Sequence, residues 1–253
     1  MTTRRALPGV LRWALAVLVA LAAAQARAQS DTDDSDTEGG YAEGARAFHA
    51  GDYERAWQLL LPLAEAGDAR AQNDVGIMLG AGLGVAQSRA EAARWFTRAA
   101  EGGNVYAQST LGYMYMHGVG VERDVAQAYH WTRLAAEQGD AESQNNLAMH
   151  YDRGDGVAQD FTLAAHWYRR AAEQGHAEAQ RNLGSMYELG QGVEKDEVRA
   201  CAWYAVAAAG GDEVAVRQRD ALARRLGEDR LEAARALARE LHGRFGSTSS
   251  GSR

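Results

Sequence analysis

Cysteine is almost missing. Cys201 is the one cysteine in 253 residues, so no intramolecular disulfide can form. Proline occurs twice, at Pro8 and Pro62, and a chain with so few helix breakers that is rich in Ala, Leu, Glu, Gln and Arg favours helix. A basic excess is also lacking: 27 Lys and Arg stand against 34 Asp and Glu, a net charge of −7. That balance argues against nucleic acid or an anionic lipid surface as partner. There is no glycine-rich phosphate loop, because each G-x-G lies between two helical stretches, with no strand before it and no Lys-Ser/Thr after it. The apolar run 13–24 is 12 residues long, short of the ~20 that cross a bilayer as a helix.

That run sits in a targeting segment. Arg4, Arg5 and Arg12 form a basic region, and Ala26-Arg27-Ala28 supplies an A-x-A cleavage pattern. Residues 1–28 therefore read as a cleavable signal peptide cut after Ala28, which implies a periplasmic or secreted chain with no stable membrane anchor. Thr3-Arg4-Arg5 with Leu7 partly matches a twin-arginine signal, whereas the strongly apolar run favours the general secretory route. Without residues 1–28, which hold four Arg and no acid, 23 basic side chains face 34 acidic ones, a net charge of −11. Residues 29–40, QSDTDDSDTEGG, carry five acids and no large apolar group, and read as a disordered acidic leader.

What the chain does have is repetition. Segments 69–104, 105–140, 141–176 and 177–212 repeat one text with a period of 36 residues. Trp95, Trp131, Trp167 and Trp203 share one column, and Gly103, Gly139, Gly175 and Gly211 another. Self-similarity at this period signals a solenoid of supersecondary units. The units are 68–103, 104–139, 140–175 and 176–211. Each reads as helix A, a G-x-G-V loop, helix B and a tight turn. Asp68, Asn104 and Asp140 are good N-caps for helix A, and His176 is a weak one. Ser88, Asp124, Asp160 and Asp196 cap helix B. The closing glycines suit a left-handed helix end, and the loop glycines let the chain reverse while Val85 and Val119 plug inward. Residues 41–67 read as a shorter tetratricopeptide-type hairpin forming an N-terminal cap. Residues 212–245 read as two capping helices: Leu222, Leu226, Leu231, Leu237 and Leu241 face the core, and Arg219, Arg224, Arg225, Arg230, Arg235 and Arg239 stay wet. Residues 246–253 read as a flexible tail.

The repeats resemble the Sel1-like family, a longer-loop relative of the tetratricopeptide repeats. Ala179-Gln180, Asn182-Leu183-Gly184, Met186-Tyr187, Gly190, Gly192-Val193 and Trp203-Tyr204 carry the likeness, as do Trp167-Tyr168 and Ala171 to Gly175. Leu79, Ala148 and Thr132 depart from the pattern and predict local repacking. The resemblance implies an all-α fold, an α/α right-handed superhelical solenoid used as a scaffold or adaptor. It also implies kinship with exported bacterial proteins of envelope assembly, polysaccharide export or signalling complexes.

No catalytic, metal or cofactor constellation emerges from the sequence. Cys201 reads as a buried or half-buried thiol, His130 and His166 as solvated or Trp-stacked, and the Trp column as inter-unit core. Function is sought where the repeats differ. Four helix-A columns vary and, at offsets of three and four, share one face. They hold Arg70, Asn73, Ile77 and Ala81; Tyr106, Ser109, Tyr113 and His117; Glu142, Asn145, Met149 and Arg153; Glu178, Arg181, Ser185 and Leu189. The resemblance places helix A on a concave surface, so these residues are expected to form a groove for a peptide or partner protein, with Tyr113 as its hot spot. A cell-wall or polysaccharide-associated hydrolase or its inhibitor is the alternative; it would require an acid pair, for which Glu142 and Glu178 are the near candidates. A structural spacer is the third reading.

Overall fold

The structure, a computed structural model, describes residues 37–246. The segment read as a signal peptide, most of the stretch read as an acidic leader and the residues from 247 lie outside the described residues. Twelve α-helices and no strand are found among those residues, as the fold reading requires. No described helix is long and apolar enough to cross a membrane. The leader reading ends too late, because α1 (Thr37–His49) takes in residues 37–40. Helix α2 (Tyr53–Glu65) completes the first hairpin. The four repeats supply helices A as α3 (Ala69–Ala81), α5 (Val105–His117), α7 (Ala141–Arg153) and α9 (Ala177–Leu189). Helices B are α4 (Arg89–Glu101), α6 (Val125–Glu137), α8 (Phe161–Glu173) and α10 (Glu197–Ala209). The C-terminal pair is α11 (Glu213–Ala223) and α12 (Glu228–Phe245).

The chain forms two compact units that part between Trp131 and Thr132. In the first, α1 packs on α2, α2 on α3, α3 on α4 and α4 on α5. In the second, α7 packs on α8, α8 on α9, α9 on α10, and α10 on both α11 and α12. A repeat helix such as α3 or α9 is 13 residues long, marginal alone in water, so packing holds it. Ala71, Val75, Ala107, Leu111, Leu147, Ala179 and Leu183 are 0% exposed. These are the columns that hardly vary.

The invariant glutamine has a specific task. The Nε2 groups of Gln72, Gln108, Gln144 and Gln180 donate to the carbonyls of Ala64, Ala100, Ala136 and Ala172 at 3.0, 3.1, 3.2 and 3.1 Å. Each acceptor lies in the last turn of the preceding helix and also accepts the backbone N–H of Gly67, Gly103, Gly139 or Gly175, so the glutamine takes its second lone pair. A buried amide satisfied in this way contributes about 1 kcal/mol.

The glycines divide by role. All four closing glycines have positive φ, from 84° at Gly175 to 102° at Gly139. The second loop glycine does more than turn the chain. A Cβ on Gly84 would lie 2.8 Å from the Tyr53 backbone carbon. One on Gly120 would strike the Arg89 carbonyl, and one on Gly192 the Phe161 carbonyl. Each collision is with the first residue of the preceding unit's second helix. On helix A, Gly76 and Gly184 leave room for the rings of Phe96 and Tyr204.

The tryptophan column is less uniform than a core reading allows. Trp131 and Trp203 are buried at 9% and 6% exposure. Trp95 and Trp167 are half-buried, and the Arg98 and Arg170 guanidiniums lie 4.6 and 4.8 Å from their ring centroids. An arginine three residues on in a helix reaches back over the ring and covers what the core does not. Trp203 stacks on Phe245 with centroids 6.2 Å apart.

Candidate functional site

The varied columns are distributed over both units. In the first, Arg70 is ion-paired to Asp68 at 3.0 Å and lies 4.5 Å above the Tyr41 ring. Tyr106, Ser109 and Tyr113 are half-exposed and His117 is exposed. The Tyr113 and His117 rings meet at 4.4 Å, tilted by 48°. Asn73 and Ile77 do not belong to an open face, being 6% and 1% exposed. Asn73 Nδ2 donates to Asp74 Oδ1 at 3.2 Å, and Asp74 Oδ2 accepts from the Tyr41 hydroxyl at 2.9 Å. Helix α1 thus closes over this part of α3.

In the second unit, Met149 and Ser185 are half-buried, and Glu142, Arg153, Glu178 and Leu189 are exposed. Leu189 is 61% exposed, the most of any large hydrophobic side chain described. Asn145 is the correction here: it is 0% exposed. Its Oδ1 accepts from Asn182 Nδ2 at 3.3 Å, so α9 covers it as α1 covers Asn73. In both units the column one place on reaches the first helix of the preceding hairpin: Asp74 meets α1 and Asn182 meets α7. The second residue of the predicted face, Asn73 or Asn145, is spent on that joint. Arg181 bonds Asp212 Oδ2 at 2.8 Å and Glu178 Oε1 at 2.9 Å, tying α9 to the N-cap of α11.

His176 proves a better cap than its residue type suggests. Its Nδ1 accepts the Ala179 N–H at 3.1 Å, and its Nε2 lies 2.9 Å from Glu142 Oε2. A cap must accept and a carboxylate cannot donate, so the ring is held as the Nε2–H tautomer. Glu142 from the preceding repeat fixes it. The hydrogen bond from His176 holds the Glu142 carboxyl below the usual carboxylate range, against the opposing effect of burial. That is the reverse of the upward shift a general acid needs, and Glu178 is engaged by Arg181.

The remaining candidates behave as side chains of a scaffold. His130 and His166 are exposed and lie edge-on to Trp131 and Trp167 at 4.9 and 5.4 Å. Cys201 is buried, and burial pushes its thiol above the ordinary value. Among the described residues no group of three or more His, Cys, Asp and Glu is placed to hold a metal ion.

The comparisons agree with this geometry. The Sel1 repeat pattern matches residues 40–68, 69–104, 105–140, 141–176 and 177–212. The hairpin read as a tetratricopeptide-type cap is thus matched as a short repeat of the same kind. Among curated proteins none matches the chain. A Sel1 repeat protein from Oxalobacter formigenes is similar at 30% identity and a TM-score of 0.70, over 82% of this chain and 83% of that one. A protective antigen present in uropathogenic Escherichia coli strains, displaying an SLR fold, is similar at 26% identity and a TM-score of 0.57, over 86% of this chain and 57% of that one. Sel1 repeats typically mediate protein–protein interaction and are generally non-catalytic. With five matched units spanning most of its length, the chain belongs to the Sel1 repeat family.

Proposed function

We propose that this protein is exported to the cell envelope and acts there as a non-catalytic adaptor, holding a partner protein or peptide on the open faces of its helices A. The observation that carries the reading is the split between columns. The invariant columns go into the core, while the varied ones leave Tyr113, His117, Arg153 and Leu189 in contact with solvent. A half-exposed tyrosine beside an imidazole, and a leucine left 61% exposed, provide apolar anchors flanked by charge, the composition that favours hot spots. The N-terminal targeting pattern supports export.

The test is site-specific photo-crosslinking in envelope extract. A photoreactive residue at position 113 or 189 is expected to trap one partner that the exposed helix-B positions 94 and 162 do not, and Tyr113→Ala is expected to weaken that partner's binding about tenfold or more. Trapping at all four positions alike would remove the helix-A assignment, and trapping at none would leave the spacer reading. Export is checked by the mature N-terminus, expected at Gln29.

A further inference from the structure

The second unit contains a cavity of about 470 Å³ between α10, α11 and α12, apart from the helix-A faces. Protein interiors are normally close-packed, and the reason for this gap is visible in the sequence. Leu231, Ala234, Arg235, Ala238 and Arg239 fall on one face of α12, at helical spacing, and line it. Ala205 of α10 and Ala223 of α11 line it too. Four alanines stand where larger side chains would close the space. Cys201, 3% exposed, and Ala234, 1% exposed, are buried lining residues, and Arg239 and Arg235 are exposed.

The charges around the cavity nearly pair off. Arg219 bonds Asp220 at 2.7 Å, and Arg235 bonds Glu232 at 2.5 Å. Glu240, the sequence neighbour of Arg239, is engaged by Arg244 at 3.4 Å. Among the described residues, Arg239 has no carboxylate partner. One positive charge therefore remains beside an apolar cavity whose size lies within the ~300–1,000 Å³ of small-ligand sites.

We propose that this cavity binds a carboxylate joined to an apolar group, with Arg239 taking the carboxylate and the alanine-lined space taking the apolar part. A single negative charge balances the single unpaired guanidinium. A phosphate monoester, at about −1.5 to −2, would face Asp220 and Glu232 with its second charge uncompensated. The guanidinium fork matches a carboxylate with two parallel hydrogen bonds. Two sources carry this chemistry: a free medium-chain carboxylic acid, and the C-terminus of a polypeptide ending in an apolar residue.

The experiment uses the purified full chain and titration calorimetry with octanoate, octanol, and a leucine-terminated tetrapeptide bearing a free or an amidated C-terminus. At least one carboxylate is expected to bind, at least about tenfold more tightly than its neutral counterpart, as a charge-assisted hydrogen bond implies. The bound ligand is expected to shield Cys201 from iodoacetamide, which locates it. Arg239→Gln is expected to weaken binding about tenfold, whereas Arg224→Gln, outside the lining, leaves it unchanged. Ala238→Leu fills the cavity and is expected to abolish binding with the circular dichroism spectrum retained. Octanoate alone binding assigns a free acid; the peptide alone binding assigns a chain terminus. Equal binding of octanoate and octanol overturns the proposal, as does unchanged affinity in Arg239→Gln or the failure of both carboxylates to bind at millimolar concentration.

Discussion

Replacing Gly192 and Gly211 by alanine separates two demands a repeat can place on glycine. Both sit at positive φ, +67° and +94°. At Gly211 a Cβ would meet nothing within 4 Å. Gly211→Ala therefore carries only conformational strain, ~1–2 kcal/mol, offset by ~0.4–1 kcal/mol from a less free unfolded chain, for a net loss of about 1 kcal/mol. At Gly192 the same strain applies, and the new Cβ also strikes the Phe161 carbonyl. Backbone cannot swing aside as a side chain can, so the loop must withdraw from the start of α8. Overpacking of this kind adds ~1–3 kcal/mol, giving a total loss of about 2–4 kcal/mol. Urea unfolding followed by circular dichroism measures both variants. Asparagine tolerates left-handed backbone, so Gly211→Asn should lie near wild type while Gly192→Asn stays low. Repeat proteins can unfold in parts, so amide hydrogen exchange in α8 and α9 supplies the local readout. Equal losses in the two alanine variants, within about 0.5 kcal/mol, would refute the collision argument.

Three further outcomes follow from the site geometry. His150 is buried with Nδ1 2.6 Å from the Asp155 carbonyl oxygen, and burial holds its pKa below the ordinary 6.5. The unfolded chain therefore takes up the proton first: stability is complete above about pH 6.5 and falls as pH drops through that value towards the folded one. The urea midpoint should decline between about pH 7.5 and 5.5, and His150→Gln should flatten that slope while lowering the midpoint at the higher pH. His176→Ala removes the cap of α9 and should cost about 1 kcal/mol, against less than about 0.5 kcal/mol for Glu142→Ala, which leaves the cap's acceptor in place; denaturation curves distinguish them. The Cys201 thiol, buried and shifted upward, should react with iodoacetamide at least about tenfold more slowly in the native chain than in urea.

Local features were readable before the fold was known. The N-caps at Asp68, Asn104 and Asp140, the left-handed closing glycines and the helix spans depend on a few neighbouring residues, and sequence carries such information directly. What escaped depends on contacts about one repeat away. The second loop glycine looks like a turn residue until Tyr53, Arg89 or Phe161 is brought against it. Asn73 and Asn145 have the spacing of an open face, but Tyr41 and Asn182 arrive from neighbouring helices to close that column. His176 ranks low as a cap because an imidazole can accept at Nδ1 only when Nε2 holds the proton, and Glu142, 34 residues earlier, ensures that it does. The glutamine column is invariant in the sequence, but periodicity does not show its acceptor carbonyls. The candidate face was legible as a set of varied columns, and about a quarter of it turned out to serve as joint.

The glutamine bonds also bear on how such a chain can change its length. Each reaches eight residues back, to a carbonyl in the last turn of the preceding helix. A unit therefore carries its own fastener and asks of its predecessor only a helix end, which every predecessor offers. Duplication or loss of one whole 36-residue block, cut at any phase, keeps every fastener matched to an acceptor. A cut of any other length breaks the register at one joint. Repeat number is thereby an easily altered trait of this architecture, free to vary by whole units while the identity of each exposed face is set separately.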